Sequence, residues 1–574
     1  MSEPSRRRSF SVSLFALLSV VITVVSFTPA PSGYEISIHG AYSPFLKFAF
    51  LAVLLGGIGL IIDGTRSKAI SWAVGLMLIL VAYAVLYSLP LVRGYEIYGT
   101  PLTDSLYHLG VVSDIISNGH IPNELYPATH ILFSELSILT GLSANTFQMP
   151  VSYLFSVLLI TGCFVAGRGL FGVQAGRYVL AAAIPLVYAD LQITILPWFY
   201  AICFIPLFLL TLHKAVGVGS QIVALVFAVA ITMYHPLTSL FMTVVVAVYT
   251  LWTWLSRSRR NQSIGLPLAI GVIAAIWAIG SDRVQGMIAG VATGAATGGG
   301  VATYASEAAN SGRNIYDLVV NFLIIRWGTA VLYMGFGGLI VLWITYRSIR
   351  GRQRAEIQMV SAQYVAGGLF GVSLAAGQVL ARNPVRISQF CLLFSIFLIG
   401  YGLWAASQNS QRRTARIASA ILIMVVLSTA LLGAGTAYED NRQVTHTTID
   451  GSSWFLEHRD ADIQTRSFRM SRGVQFYIQG NNLARASSVA FSRFLESRQL
   501  PKHLGYTGNG TAEEVFGSRQ YIITKTPDVV WTESQYGDGN IERGYTQTDL
   551  TKIENDPTVS KAYTNGPYDI WFLQ

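Results

Sequence analysis

The sequence predicts an α-helical polytopic membrane protein that carries a small α/β domain outside the membrane at its C-terminal end. Three observations predict it. Apolar residues make up 52% of the 574 positions and charged residues 12%, against about 25% charged in an ordinary soluble domain. Apolar runs recur through residues 1–436, and about 20 such residues cross a hydrocarbon core as a helix. After Leu432-Gly433-Ala434-Gly435 the chain changes abruptly to a polar tail of mixed charge.

Taken in order, thirteen spans are expected, near 9–29, 45–63, 69–90, 149–167, 177–193, 198–213, 219–234, 237–256, 265–281, 327–346, 358–380, 386–406 and 416–436. Orientation follows from Lys and Arg, which collect in short cytoplasmic loops. With Arg6, Arg7 and Arg8 inside, thirteen crossings bring Arg66 and Lys68, Arg168 and Arg177, His213-Lys214, Arg257 to Arg260, the run 347–354 and Gln411 to Arg416 to that same side. The expected place is therefore the cell membrane, with a cytoplasmic N-terminus. Outside lie the loop 91–148, the Tyr234-His235-Pro236 turn, the Gly-rich loop 282–325, the turn 381–386 and the tail. The apolar run after Arg8 is longer than the core of a signal peptide and no small-residue cleavage site follows it, so it reads as the first span.

The domain division is then 1–436 in the membrane and 437–574 as an exterior soluble domain. The tail has an amphipathic stretch, Val489 to Leu500, and strand-like runs YIITKT, DVVWTES and YDIWFL between Gly, Pro and Asn, which together read as α/β. It also holds the sequon Asn509-Gly510-Thr511. The net charge of +9 belongs to the membrane half and its inner loops, so no nucleic acid is needed to explain it. Cys163, Cys203 and Cys391 all fall inside spans, which indicates neither a disulfide framework nor a thiolate metal site.

The informative segment is TDSLYHLGVVSDIISNGHIPNELYPATHILFSELSILTGLS, Thr103 to Ser143. Connectors between spans are usually short, and a long one with its own apolar periodicity reads as a folded functional element. Asp104 stands just past the third span, with Tyr107 and His108 about one helical turn on, and Leu125-Tyr126-Pro127 breaks the chain before a second apolar run. An acid at a membrane edge serves function more often than a surface acid does. The competing reading of Asp104 is a helix N-cap. His120 and His130 are further polar candidates, with buried structural imidazoles as the alternative.

Asp104 with its helix, the following Gly119, and Tyr126-Pro127 leading into an apolar helix resemble the membrane glycosyltransferases of the GT-C fold. RNPVRISQFCLLFSIFLIGYGL, where Arg382 and Arg386 precede an apolar helix, is similar to that family's late Arg-aromatic segment. The resemblance implies transfer of a sugar from a dolichyl- or polyprenyl-phosphate carrier on the outer face to a glycan or glycoprotein acceptor in cell-surface glycosylation. Archaeal dolichyl-phosphate-mannose mannosyltransferases are the members it resembles, with a hexose, mannose, as the sugar. Two spans rather than one precede the third, and the tail lacks the Trp-Trp-Asp-Tyr-Gly motif of oligosaccharyltransferases. En bloc transfer of a whole glycan to Asn is therefore the alternative.

A carrier phosphate is already an activated leaving group, so the enzyme must position the anomeric carbon, deprotonate the acceptor hydroxyl and neutralise the departing phosphate. One carboxylate suffices as base, and Asp104 is the choice. Arg382 and Arg386 stand on the outer side against the positive-inside trend, as a cation pair for the phosphate or as side chains reaching lipid headgroups. His235 is a donor to the phosphate, Tyr107 and His108 are carrier-binding candidates, and Asp190 is the second carboxylate. A Mg or Mn ion between Asp104 and Asp190 suits an oligosaccharyltransferase-like site, although no ligand spacing demands it. The loop GVATGAATGGGVATYASEAANSG reads as a lid or a plain connector, with Glu307 as a faint acidic motif. A transporter or lipid-carrier flippase is the remaining alternative. It calls for ionisable residues along a path inside the spans, and these spans are almost free of charge.

Overall fold

A computed structural model of the chain describes residues 3–63 apart from 32 and 39, 70–121 apart from 96 and 100–103, and 126–189, 193–214, 217–255, 265–281, 285, 328–350, 355–376 and 384–408. In the tail it describes 441–573 apart from 442, 461, 469–471, 487–499, 507–509, 518, 537–540, 542 and 543. The membrane half is built of α1 (Glu3–Phe27), α2 (Pro44–Asp63), α3 (Ile70–Val92), α4 (Asp104–Asn118), α5 (Pro127–Thr140), α6 (Gln148–Phe171), α7 (Val173–Ala189), α8 (Pro197–Cys203), α9 (Ile205–Lys214), α10 (Val218–Tyr234), α11 (Pro236–Leu255), α12 (Gly265–Ile279), α13 (Gly328–Ile349), α14 (Ala355–Ala376) and α15 (Pro384–Ser407). Seven helices among the described residues are long and apolar enough to cross a membrane. Each of the first twelve expected spans has a helix, and the thirteenth, 416–436, lies outside the described residues. The sixth span is broken into α8 and α9 at Phe204, where Pro206 two positions on has no N–H to donate.

Large apolar side chains on these helices face outward: Phe45 and Phe48 on α2 are each 69% exposed and Leu342 on α13 is 67%. Lipid, not water, is the medium that tolerates such a surface. Inside, polar groups are paired across helices. Tyr87 of α3 and Ser156 of α6 share a hydrogen bond of 2.5 Å. Pro185 interrupts α7, and hydroxyls from neighbouring helices serve carbonyls beside it. Tyr83 donates to Ile184 at 2.5 Å and Tyr333 donates to Ala182. All three cysteines are buried and free.

The tail comprises α16 (His446–His458), β1 (Gln464–Ser467), α17 (Arg472–Ala486), α18 (Ala512–Phe516), β2 (Gln520–Lys525), α19 (Thr526–Tyr536), α20 (Gln547–Glu554), β3 (Val559–Thr564) and β4 (Tyr568–Leu573). The strands form one sheet in the order β1-β2-β4-β3, parallel between β1 and β2 and antiparallel elsewhere. Both YIITKT and YDIWFL fall on strands, as expected. DVVWTES does not: it is the helix α19. Pro527 and Asp528 start that helix in the manner both residues favour, and Asp528, Val529 and Thr532 are its buried face, a helical spacing rather than an alternating one. The amphipathic stretch 489–500 lies outside the described residues but for Leu500.

Short polar contacts tie the tail to the loops of the membrane half. The Asn441 N–H donates to the Ile36 carbonyl and the Val444 N–H to the Ile97 carbonyl, both at 3.1 Å. Arg93 pairs with Glu35, Tyr95 donates to Glu35, and the Asn441 amide donates to the Tyr95 hydroxyl at 3.0 Å. Burial, with Glu35 beside it, raises the Tyr95 phenol well above its ordinary range, so its proton stays available for that bond.

Candidate functional site

Asp104 opens α4, and Tyr107 and His108 follow on its first turn. α5 begins at Tyr126-Pro127 with Pro at its first position, where the missing N–H costs nothing. The third contributor is the junction of α10 and α11: His235 is extended, at φ −160 and ψ 102, as a residue preceding proline must be to avoid the Pro236 ring. These three elements converge. The Tyr126 ring stacks on His235 with centroids 5.6 Å apart and planes 17° apart, and meets His108 edge-on at 5.9 Å.

Behind this row lies a second imidazole. His108 Nδ1 and His130 Nε2 are 2.9 Å apart, and both side chains are buried, His130 completely. Burial first, and His108 second, hold His130 well below the usual imidazole range, so it is neutral at ordinary pH. His235 is held differently. The Thr238 N–H donates to its Nδ1 at 3.3 Å, and the Thr238 hydroxyl lies 2.8 Å from the same nitrogen. An N–H can only donate, so Nδ1 of His235 carries the lone pair and, in the neutral ring, Nε2 carries the proton.

The outer side of α4 is covered by the tail. The Tyr107 ring packs edge-on against Phe476 of α17 at 5.0 Å, and the two helices touch backbone to backbone. A Cβ on Gly110 would stand 2.2 Å from the Phe476 carbonyl oxygen, so only glycine permits the approach. One turn further, Gly480 adopts φ 75 inside α17 and passes close to the Asp114 carboxylate. The tail thus packs along α4 from Tyr107 to Asp114.

Of the residues picked out in the sequence, Tyr107, His108 and His235 come into one neighbourhood, one turn from the backbone of Asp104. Arg386 lies on the first turn of α15. Asp190, Arg382 and Glu307 lie outside the described residues. Sequence reasoning read Tyr126 only as part of a chain break and motif, not as a site residue, and missed Phe476. Tyr126 had a signal, since the residue before a helix-opening proline is fixed in direction. Phe476 had none, because it reaches the site from the far end of the chain. Among the described residues, no three His, Cys, Asp or Glu side chains group as a metal site.

No family model matches the chain, and no curated protein matches it. Solved structures similar to it include the Archaeoglobus fulgidus oligosaccharyltransferase in its apo form, at 14% identity over 86% of this chain and 71% of that one, with TM-score 0.44. The arabinofuranosyltransferase AftD from Mycobacteria is similar at 14% identity over 94% and 40%, TM-score 0.43. ArnT from Cupriavidus metallidurans bound to undecaprenyl phosphate is similar at 12% identity over 87% and 98%, TM-score 0.43. These solved proteins are glycosyltransferases of the GT-C fold. At such identity and score the likeness assigns no residue role, carrier or sugar to this chain.

Proposed function

We propose that the chain is a membrane glycosyltransferase that moves a hexose, mannose in the narrowest reading, from a dolichyl- or polyprenyl-phosphate carrier to a glycan on the outer membrane face. The observation that supports it most is the meeting of His108, Tyr126 and His235, from three separate elements, beside the N-terminal end of α4 where Asp104 stands. Two imidazoles around an aromatic ring at the ends of spans suit an anionic headgroup with a sugar attached.

Asp104 accepts the proton of the acceptor hydroxyl as that oxygen bonds to the anomeric carbon. The bond from the anomeric carbon to the phosphate oxygen breaks, the configuration inverts, and the carrier phosphate leaves. Arg382 and Arg386 take up its charge, while His108 and His235 hydrogen-bond its oxygens and Tyr107 lines the wall. A divalent cation, where bound, would be held by Asp104 and Asp190 and would withdraw charge from the phosphate. No step above depends on it.

The test is transfer in vesicles containing the purified chain, a polyprenyl-phosphate hexose and a glycan acceptor. Asp104→Asn keeps the capping capacity and removes the basicity, so it is expected to insert normally and lose about 10² to 10⁴ in rate. Near-normal carrier release by that variant would remove Asp104 from the reaction. Deleting the gene and weighing surface glycans separates the two transferases: loss of one terminal hexose supports this reading, and loss of entire glycans supports en bloc transfer.

A further inference from the structure

The sequence places Arg177 among the basic residues of the inner loops, but it stands within α7, on the second turn, and its side chain is buried at 8% exposure. Its Nε is buried with no hydrogen-bond partner. Among the described residues no carboxylate or other acceptor meets the guanidinium, whose carbon lies 5.6 Å from the centre of the Trp72 ring. An aromatic face attracts a cation, yet it leaves the N–H donors without an acceptor, and buried charges are ordinarily paired. Trp72 is on the first turn of α3. The first N–H groups of that helix have no partner within it, and the Ser71 hydroxyl beside them is buried with no hydrogen-bond partner. Unpartnered donors from two helices therefore gather at one place, and what they lack is an anion.

This place is at the far end of the bundle from Asp104. Trp72 packs on Phe164 near the end of α6 at 5.1 Å, whereas Tyr87 meets Ser156 nearer its start, so α3 and α6 run antiparallel. Beyond Val92, α3 leads to the loop that meets the tail and then to α4. From Trp72 to Val92 the helix spans about 30 Å, the thickness of a hydrocarbon core. Next to the site along the helices, Met77 on α3 and Val165 on α6 are 57% and 41% exposed, a surface suited to acyl chains rather than water. Asp63, the exposed last residue of α2, stands at the same end, and among the described residues no ion pair joins it to Arg177.

We propose that Arg177, the Ser71 hydroxyl and the first turn of α3 hold the phosphate of an anionic phospholipid, in the leaflet opposite the candidate transfer site. The guanidinium fork takes two phosphate oxygens, Ser71 and the α3 N–H groups take the others, and Trp72 sits at headgroup depth. The site stands whether or not the chain transfers sugar.

The test is native mass spectrometry of the purified full-length chain released from nanodiscs of phosphatidylglycerol and phosphatidylcholine in equal parts. Retained phosphatidylglycerol, in preference to phosphatidylcholine, is expected on the unaltered chain, and no preference overturns the proposal whether or not any variant folds. Arg177→Gln is expected to weaken retention about 10- to 100-fold, on the scale of a charge-assisted hydrogen bond. Ser71→Ala, which a helix start tolerates, is expected to weaken it about 2- to 10-fold, and unchanged retention in both variants overturns the proposal. Arg350→Gln removes an exposed cation that stacks on Tyr346 at 4.5 Å and is expected to change nothing. Equal losses in Arg177→Gln and Arg350→Gln would mean that overall charge attracts the lipid, and the site would be lost. Excess inorganic phosphate is expected to leave the lipid in place; if it displaces the lipid, the site takes free phosphate and the lipid assignment falls.

Discussion

At the scale of single residues, the sequence reading turns on residue types that are out of place. On the expected topology Arg382 and Arg386 fall on the side where basic residues are scarce, and that expectation alone selects them. Removing both by Ala substitution is expected to cut carrier turnover while membrane insertion stays intact, since each charge-assisted hydrogen bond lost costs about 1.5 to 3 kcal/mol. Carrier-lipid release measured on the double variant checks this, and unchanged turnover would leave the two arginines as headgroup anchors. Tyr107, His108 and His235 drew notice in the sequence as polar or aromatic residues beside apolar runs, and the structure brings them into one neighbourhood. Tyr126 and His130 were legible only as residue types. What brings them to the others is a 5.6 Å ring stack and a 2.9 Å hydrogen bond, the first joining elements far apart in the chain and the second joining the consecutive helices α4 and α5.

At the scale of elements, apolar length found the helices, and local breakers decided the details. Within the expected span 198–213 two helices meet at Phe204, because Pro206 withholds an N–H there. DVVWTES looked like a strand for its paired valines and tryptophan, yet Pro527 and Asp528 are better helix openers than strand residues, and the helix won. The contact of α17 with α4 was invisible in the sequence, because Gly110 is one of 53 glycines and nothing local distinguishes it. Its role gives a prediction. Gly110→Val places side-chain atoms where the Phe476 carbonyl now sits, and overpacking of this kind costs about 1 to 3 kcal/mol. The tail helix is expected to lift from α4, seen as faster proteolysis within 472–486 and loss of a crosslink between cysteines placed at 107 and 476. Retention of that crosslink at normal yield would mean that α4 can yield without undocking.

At the scale of the whole molecule, the distribution of Lys and Arg and the hydrogen bonds speak to the same question. The bonds from Asn441 to Ile36 and from Val444 to Ile97, and the stack of Tyr126 on His235, require the loops after α1, α3 and α10 and the start of the tail to share one side. On the expected topology the chain crosses between the end of α3 and the end of α10 with α6, with α7, with α8 and α9 together, and with α10. That is an even number, and it returns the chain to the same side only if the broken pair counts as a single span. The tail adds a further condition. On the expected topology the run 347–354 follows α13, and two more spans, α14 and α15, would return the chain to its side. The span expected at 416–436, which lies outside the described residues, is what would carry the chain across to the tail in that reading. Single-cysteine labelling reads this parity directly, with little background because Cys163, Cys203 and Cys391 are buried. Lys552→Cys, exposed on α20, is expected to react with an impermeant maleimide in intact cells. Arg350→Cys, exposed at the end of α13, is expected to react only after permeabilisation. Should both react under the same condition, the crossing at 416–436 does not exist. Should the two patterns be exchanged, the crossing exists but the chain is inverted, and the site of Asp104 would face the cytoplasm.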